Sequence, residues 1–215
     1  MLLVPTMINM FVNHPEVENF DLKSLSQILY GASPMPEPVI KKAMEILPHT
    51  QFYQAYGQTE AAPCITLLDA GRHTFEGPLA GKMKSAGQAI AGVELAVLDE
   101  NGAPVETGVV GEVCMKGPNV MLGYRNMEEQ TNNTIVDGWL HTGDVALLDE
   151  AGHYSIVDRL KELIKYNGFQ VPPAELEALL ITHPSIADVA VVGVPDEAAG
   201  ELPKAFVALS PGASL

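Results

Sequence analysis

The sequence predicts a mixed α+β and α/β protein of several subdomains: the end of a large α/β domain, a small β-barrel-like subdomain, and a partial α+β lobe. Three changes of texture predict it. Residues 4–48 read as helices around one short strand, residues 80–157 as short strands at hairpin spacing, and the stretch after Asp158 as a helix with further strands. The expected boundaries are 1–159 for the large domain, its β-rich part at about 80–157, and 160–215 for an incomplete C-terminal lobe.

Each element has a local reason. "QILYGAS" is a short apolar run ending in small residues, as a buried strand opening into a loop requires. "SPMPEPVIKKAMEILP" begins with prolines, places Val39, Ile40, Ala43, Met44 and Leu47 at helical spacing, and stops at Pro48. "VELAVLDENGAPV" and "VALLDEAGHYSIV" are strand–turn–strand patterns around Asp99–Gly102 and Glu150–Gly152, and "VVGEVCMKG" is a strand between them. Strands so spaced predict a small barrel or sandwich. "PPAELEALLITHP" is a helix with Leu176, Leu179 and Leu180 on one face, followed by strands at "IADVAVVGVP" and "PKAFVALS". A lobe of that size is marginal alone and calls for more chain or a partner surface.

Composition narrows the function classes. The chain has 215 residues, 47% hydrophobic and 18% charged, which suits a globular core rather than disorder. A net charge of −15 with no basic cluster argues against a nucleic-acid partner. The two cysteines, Cys64 and Cys114, sit among apolar or small residues and read as free thiols of a reducing, cytoplasmic compartment. The apolar opening is broken by Pro5, Asn9 and Asn13, so neither a signal peptide nor a transmembrane segment is expected.

Two clusters carry chemistry. In "QAYGQTE", Tyr56 offers a flat face, Gly57 close backbone approach, Thr59 a hydroxyl for phosphate or ribose, and Glu60 a hard oxygen for Mg²⁺ at ~2.1 Å. In "DGWLHTGDVALLDEAGHYSIVDRLKELIKYNGFQ", Asp144 can accept from both ribose hydroxyls and Arg159 can grip phosphate or the ribose edge. Each has an ordinary alternative: Asp144 as a turn former, Arg159 as a surface ion pair, His141 as a structural histidine.

Five ordered segments, "YGASP", "YGQTE", "GEVCMKGPNVMLGYRN", "DGWLHTGD" and "VDRLKELIKYNGFQVPPAELE", resemble the adenylate-forming superfamily, and within it the acyl- and aryl-CoA ligases such as fatty-acid and 4-coumarate–CoA ligases. The resemblance implies two half-reactions. A fatty or aryl carboxylate attacks the α-phosphate of ATP to give an acyl-adenylate and pyrophosphate; the thiol of coenzyme A then displaces AMP. It further implies that Tyr56 stacks on adenine with Ser33 close to the base, and that Gln54 and Ala55 line the nucleotide and acyl side. Thr59 would contact phosphate, Glu60 the Mg²⁺, and Asp144 the ribose beside Arg159. Gly31 and Gly57 would belong to the acyl tunnel wall, Lys161 to the hinge on which the small lobe turns, and Lys165 to the thiolation face, with Gln170 following on the same strand.

The sequence departs from that pattern at Asn167, before Gly168, where coenzyme-A ligases often carry a lysine; the amide supplies no charge. A Ser/Thr/Gly-rich phosphate loop and a terminal catalytic lysine are also not found in these residues. The expectation is therefore a central-to-C-terminal fragment, inactive alone and prone to self-association through exposed apolar faces. The alternatives are a non-catalytic truncated paralogue, binding nucleotide weakly or serving as an interaction module, and an adenylation domain serving a carrier protein.

Overall fold

The computed structural model describes residues 1–214. The first sheet contains β1 (Leu2–Leu3), β2 (Gln27–Gly31), β3 (Gln51–Tyr56), β4 (Thr66–Leu68) and β5 (Gln88–Ala89), side by side in chain order. Strands β1, β2 and β3 run parallel, and β4 and β5 are antiparallel additions. Helices α1 (Pro5–Val12) and α2 (Glu37–Ile46) are the crossovers that parallel strands require. Proline in the first turn starts both. Ile8 and Val12 of α1, Ile40 and Ala43 of α2, Ile28 and Tyr30 of β2, and Phe52 of β3 form one buried cluster.

The second sheet holds β6 (Glu94–Leu98), β7 (Gly111–Lys116), β9 (Trp139–Leu148) and β10 (Tyr154–Arg159) in the antiparallel order β10-β9-β7-β6. The short helix α3 (Glu128–Thr134) leads into β8 (Ile135–Val136), which adds to β9. The turns at Asp99 and Asp149 share one device: the aspartate Oδ1 accepts two backbone amides, from Asn101 and Ala103 in one and Ala151 and His153 in the other. The expected barrel is not closed. Strands β6 and β10 stay at opposite ends of the sheet, and Tyr154 of β10 instead exchanges backbone bonds with Ala86 and Gly87 beside the first sheet. A second buried cluster, Ala61, Ile65, Met115 and Leu140, seals the seam between the sheets, with Tyr56 packed against it.

The third sheet comprises β11 (Ile164–Tyr166), β12 (Phe169–Val171), β13 (Ile186–Asp196) and β14 (Gly200–Leu209) in the antiparallel order β12-β11-β14-β13, with α4 (Pro173–Leu180) against β13. Lys165 and Gln170, expected on one strand, face each other across the β11–β12 hairpin. The reason is Asn167–Gly168, both at positive φ (49° and 83°), the two-residue turn that reverses a strand without splaying it. No helix among the described residues is long and apolar enough to cross a membrane.

Candidate nucleotide site

Two irregularities in β9 and β10 shape the site. Between the pairs Glu112–Val145 and Cys114–His141, β7 spends one residue while β9 spends three, Thr142, Gly143 and Asp144. This bulge is held by its own bonds: Thr142 Oγ1 donates to the Val113 carbonyl (2.7 Å), Gly143 N–H to Glu112 Oε1 (3.0 Å), and Asp144 N–H to Thr142 Oγ1 (3.1 Å). A bulge re-aims a side chain, here Asp144. A second register shift, between Ile156 and Asp158 of β10, brings Arg159 directly opposite Asp144.

Tyr56, at the end of β3, meets Asp144 across the seam. Its hydroxyl donates to Asp144 Oδ2 at 2.7 Å, and Arg159 Nε lies 3.4 Å from Oδ1. Asp144 is buried while Arg159 is largely exposed. Burial raises the Asp144 pKa above the usual carboxylate range, against the opposing hydrogen bond from Tyr56 and the charge of Arg159. Burial and the Asp144 charge push the Tyr56 phenol upward, so its proton stays in place.

Gly57 turns the chain where no side chain fits. A Cβ there would stand 2.0 Å from the Pro63 carbonyl oxygen and 2.9 Å from Ile65 N. At Gly31 a Cβ would meet the Ala55 carbonyl oxygen at 2.1 Å. Backbone contact thus accounts for both glycines without a substrate. Thr59 and Glu60 open a 3₁₀ turn, with Thr59 exposed.

Two residues without a sequence-based assignment fix this turn. Tyr124 donates its hydroxyl to Glu60 Oε1 (2.7 Å), and Asn119 Nδ2 donates to the carbonyls of Ala61 and Cys64 (2.8 and 2.9 Å). Both lie in "GPNVMLGYRN", and their polar side chains inside an otherwise apolar and glycine-bearing stretch were the available signal.

Direct contacts therefore unite Tyr56, Asp144 and Arg159, while Glu60 has its own partner. Gln54 and Ala55 share β3 with Tyr56; Gln54 accepts from the Tyr30 hydroxyl (3.2 Å) and Ala55 pairs with Gly31. Ser33 is exposed just beyond β2. Among the described residues, no hydrogen bond or ion pair joins Lys161, Lys165 or Gly168 to the Asp144 group. Lys161 and Lys165 are exposed, and the Lys165 amide donates to Glu201 Oε2 (2.7 Å). One backbone bond ties the lobe junction to the bulge, from Leu160 N–H to the Gly143 carbonyl (2.8 Å). Two open clefts, of about 490 and 500 Å³, border Tyr124 and the pair Glu112–His141 rather than Asp144 itself.

A parallel sheet ending in an aromatic turn, faced by a bulged aspartate with its arginine, is the scaffold of an adenylate-forming enzyme. Residues 1–125 match the AMP-binding enzyme family and residues 175–215 its C-terminal domain, and the chain belongs to that family. It is 43% identical to 4-coumarate-CoA ligase 1 of Narcissus pseudonarcissus, covering 99% of this chain and 39% of that protein. It is 42% identical to 4-coumarate–CoA ligase 1 of Glycine max, covering 98% of this chain and 71% of that one. Among solved structures, the amide bond synthetase McbA of Marinactinospora thermotolerans is 33% identical with a TM-score of 0.90, covering 100% of this chain and 42% of that one. The o-succinylbenzoate CoA synthetase of Bacillus subtilis, solved with its acyl-adenylate, is 32% identical with a TM-score of 0.86, covering 99% and 42%. The chain spans about two fifths of the length of most curated relatives it matches.

Proposed function

We propose that this chain carries the nucleotide-facing part of an ATP-dependent carboxylic acid–coenzyme A ligase. The observation that carries the reading is the Tyr56–Asp144–Arg159 group, in which Tyr56 and Asp144 meet from 88 positions apart in sequence. In the first half-reaction a carboxylate oxygen attacks the α-phosphorus of ATP and pyrophosphate leaves. In the second, the thiol of coenzyme A attacks the acyl carbon and AMP leaves. Both steps build negative charge that metal and fixed donors must meet.

Tyr56 stacks on adenine with Ser33 near the base, and Gln54 and Ala55 line the same side. Asp144 accepts the ribose hydroxyls while Arg159 reaches the ribose edge or a phosphate. Thr59 contacts phosphate, and Glu60, oriented by Tyr124, offers an oxygen to Mg²⁺. Gly31 and Gly57 lie where the acyl group runs. Lys161 is the pivot of the lobe, and Lys165 with Gly168 faces coenzyme A after rotation. The 4-coumarate–CoA ligase relatives favour an aryl acid over a fatty acid. The likeness to an amide bond synthetase, together with Asn167 in place of a lysine, supports a second reading in which the acceptor is an amine rather than coenzyme A.

The test is calorimetric binding of AMP with Mg²⁺ to the chain and to Asp144→Ala. Loss of at least about tenfold in affinity is expected for a removed charge-assisted pair. Equal affinity for both proteins would sink the site. The 215 residues alone are expected to show only background ATP–pyrophosphate exchange; enzyme-like exchange would refute that part.

A further inference from the structure

We infer that Glu112, Cys114 and His141 form a binding site for a thiophilic divalent metal ion, with Zn²⁺ the best match to the donor set. Their ligand atoms lie within 4.8 Å of one another, on β7 and β9. A single atom, Nδ1 of His141, faces both Glu112 Oε2 at 2.8 Å and Cys114 Sγ at 3.4 Å. One imidazole nitrogen holds either one proton or one lone pair, so it cannot satisfy both neighbours well. A cation among the three satisfies all of them, and thiolate, imidazole and carboxylate are the usual ligands of protein zinc.

The surroundings fit an ion. The second oxygen of Glu112 is committed to the Gly143 amide (3.0 Å), an outer bond that orients the ligating oxygen. Cys114 and His141 are directly opposed across β7 and β9, so their backbones are already positioned. Glu112 and His141 line the cleft of about 500 Å³, which provides an entry path and room for a water as fourth ligand. Asp137 lines it too, no lysine or arginine does, and the Lys116 ammonium lies 4.5 Å over the Trp139 ring. On binding, the Cys114 S–H bond breaks, the sulfur–metal bond forms and the proton leaves to solvent. One thiolate and one carboxylate then neutralise the dication, which removes the penalty of a net buried charge. The ion would sit outside the proposed nucleotide contacts. It would brace Glu112, and through it the bulge that presents Asp144.

Co²⁺ added to the 215-residue chain, as a spectroscopic substitute for Zn²⁺, tests this. The expected result is one equivalent bound, with a thiolate-to-cobalt charge-transfer band and tetrahedral visible bands, both abolished by Zn²⁺. Cys114→Ser should remove the charge-transfer band, and Glu112→Gln should weaken binding at least about tenfold. Circular dichroism checks that each variant keeps its strands. If Cys114→Ser fails to fold, the Cys64→Ser chain, whose only thiol is Cys114, decides alone by keeping or losing the band. A folded chain with no cobalt–thiolate band, or a band that survives Cys114→Ser or vanishes in Cys64→Ser, overturns the site.

Discussion

The region up to Arg159 and the lobe beyond it are built on different physics. The first region has two buried clusters that join helices to sheet and sheet to sheet. Beyond Arg159, among the described residues, the buried apolar side chains are Leu163, Ile164, Pro173 and Val191. Yet β13 and β14 form the longest strand pairing of the molecule, while Val192, Val194, Leu202, Phe206 and Leu209 along them stay exposed. Backbone hydrogen bonds shape the lobe; side-chain burial, at about 25 cal/mol per Å² of apolar surface, stabilises the larger region. What ties the lobe back to the larger region is polar: the Ala174 amide at the start of α4 donates to Asp158 Oδ2 of β10 at 3.0 Å.

The largest expected effect tests that difference directly. Phe52→Ala empties a site that is 2% exposed between β3 and the two helices, and should cost ~3–5 kcal/mol of unfolding free energy. Leu179→Ala removes a side chain that is 70% exposed on α4 and should stay within about 0.5 kcal/mol. Denaturant unfolding of both variants checks the pair, and comparable losses would break the contrast.

Asp144→Asn should separate stability from binding within the well-packed region. Because burial raises the Asp144 pKa, the folded chain holds this proton more tightly than the unfolded one does. Its contribution is therefore most favourable below the unfolded value of ~3.9 and declines as pH rises through the folded value. At neutral pH the neutral amide should unfold no more easily than the parent, while AMP affinity drops. The check is the difference in melting temperature between the two chains across the acid range, which should shift in favour of the variant as pH rises.

A smaller effect belongs to the lobe. Asn167 sits at φ 49°, a conformation that asparagine adopts at less cost than lysine does. Asn167→Lys should weaken the β11–β12 hairpin by ~1 kcal/mol and leave the larger region untouched. Faster amide hydrogen exchange confined to Ile164–Val171 is the expected signature. Exchange that also accelerates in β2 or β3 would show the two regions to be one cooperative unit.

That residue also shows what the sequence disclosed and what it hid. Asn167 stands out as a missing charge against the pattern its motif resembles, but Asn-Gly between short strands is equally a turn signal, and the observed turn accommodates it. Strand β3, parallel to β2 and antiparallel to β4, was hidden because "QFYQAY" has neither a continuous apolar run nor clean alternation, so "QAY" reads as part of the turn that follows it. The hairpins around Asp99 and Asp149 were legible because their turns are written in local chemistry. Tyr56 and Asp144 could be picked out singly as polar or aromatic residues beside glycines. Their 2.7 Å contact could not, since it depends on a bulge set by Thr142 and Glu112 and on how two sheets pack. Tyr124 and Asn119 were missed for the same reason: their partners are 64 and 58 residues away.

The smallest effect concerns a tie that strengthens the larger region alone. Lys82 pairs with Asp149, joining the segment before β5 to the β9–β10 turn. Burial raises the Asp149 pKa, but the hydrogen bond from Lys82 and the amides of His153 and Ala151 outweigh it and hold the carboxyl at about 2. A depressed carboxylate stabilises the fold above its unfolded pKa, and that contribution is lost as pH falls from ~3.9 toward the folded value. The pair is part-exposed, so its share is less than ~1 kcal/mol. Asp149→Asn keeps an oxygen for the turn amides but removes the charge that Lys82 and those amides favour. Its melting temperature should lie slightly below the parent's at neutral pH and converge with it in acid, whereas the same comparison for Asp99→Asn, whose turn has the amides without the lysine, should show a narrower gap. If the lobe's hydrogen exchange follows the Asp149→Asn change, the bonds that already cross the junction, from Ala174 N–H to Asp158 Oδ2 and from Leu160 N–H to the Gly143 carbonyl, make the two regions one cooperative unit.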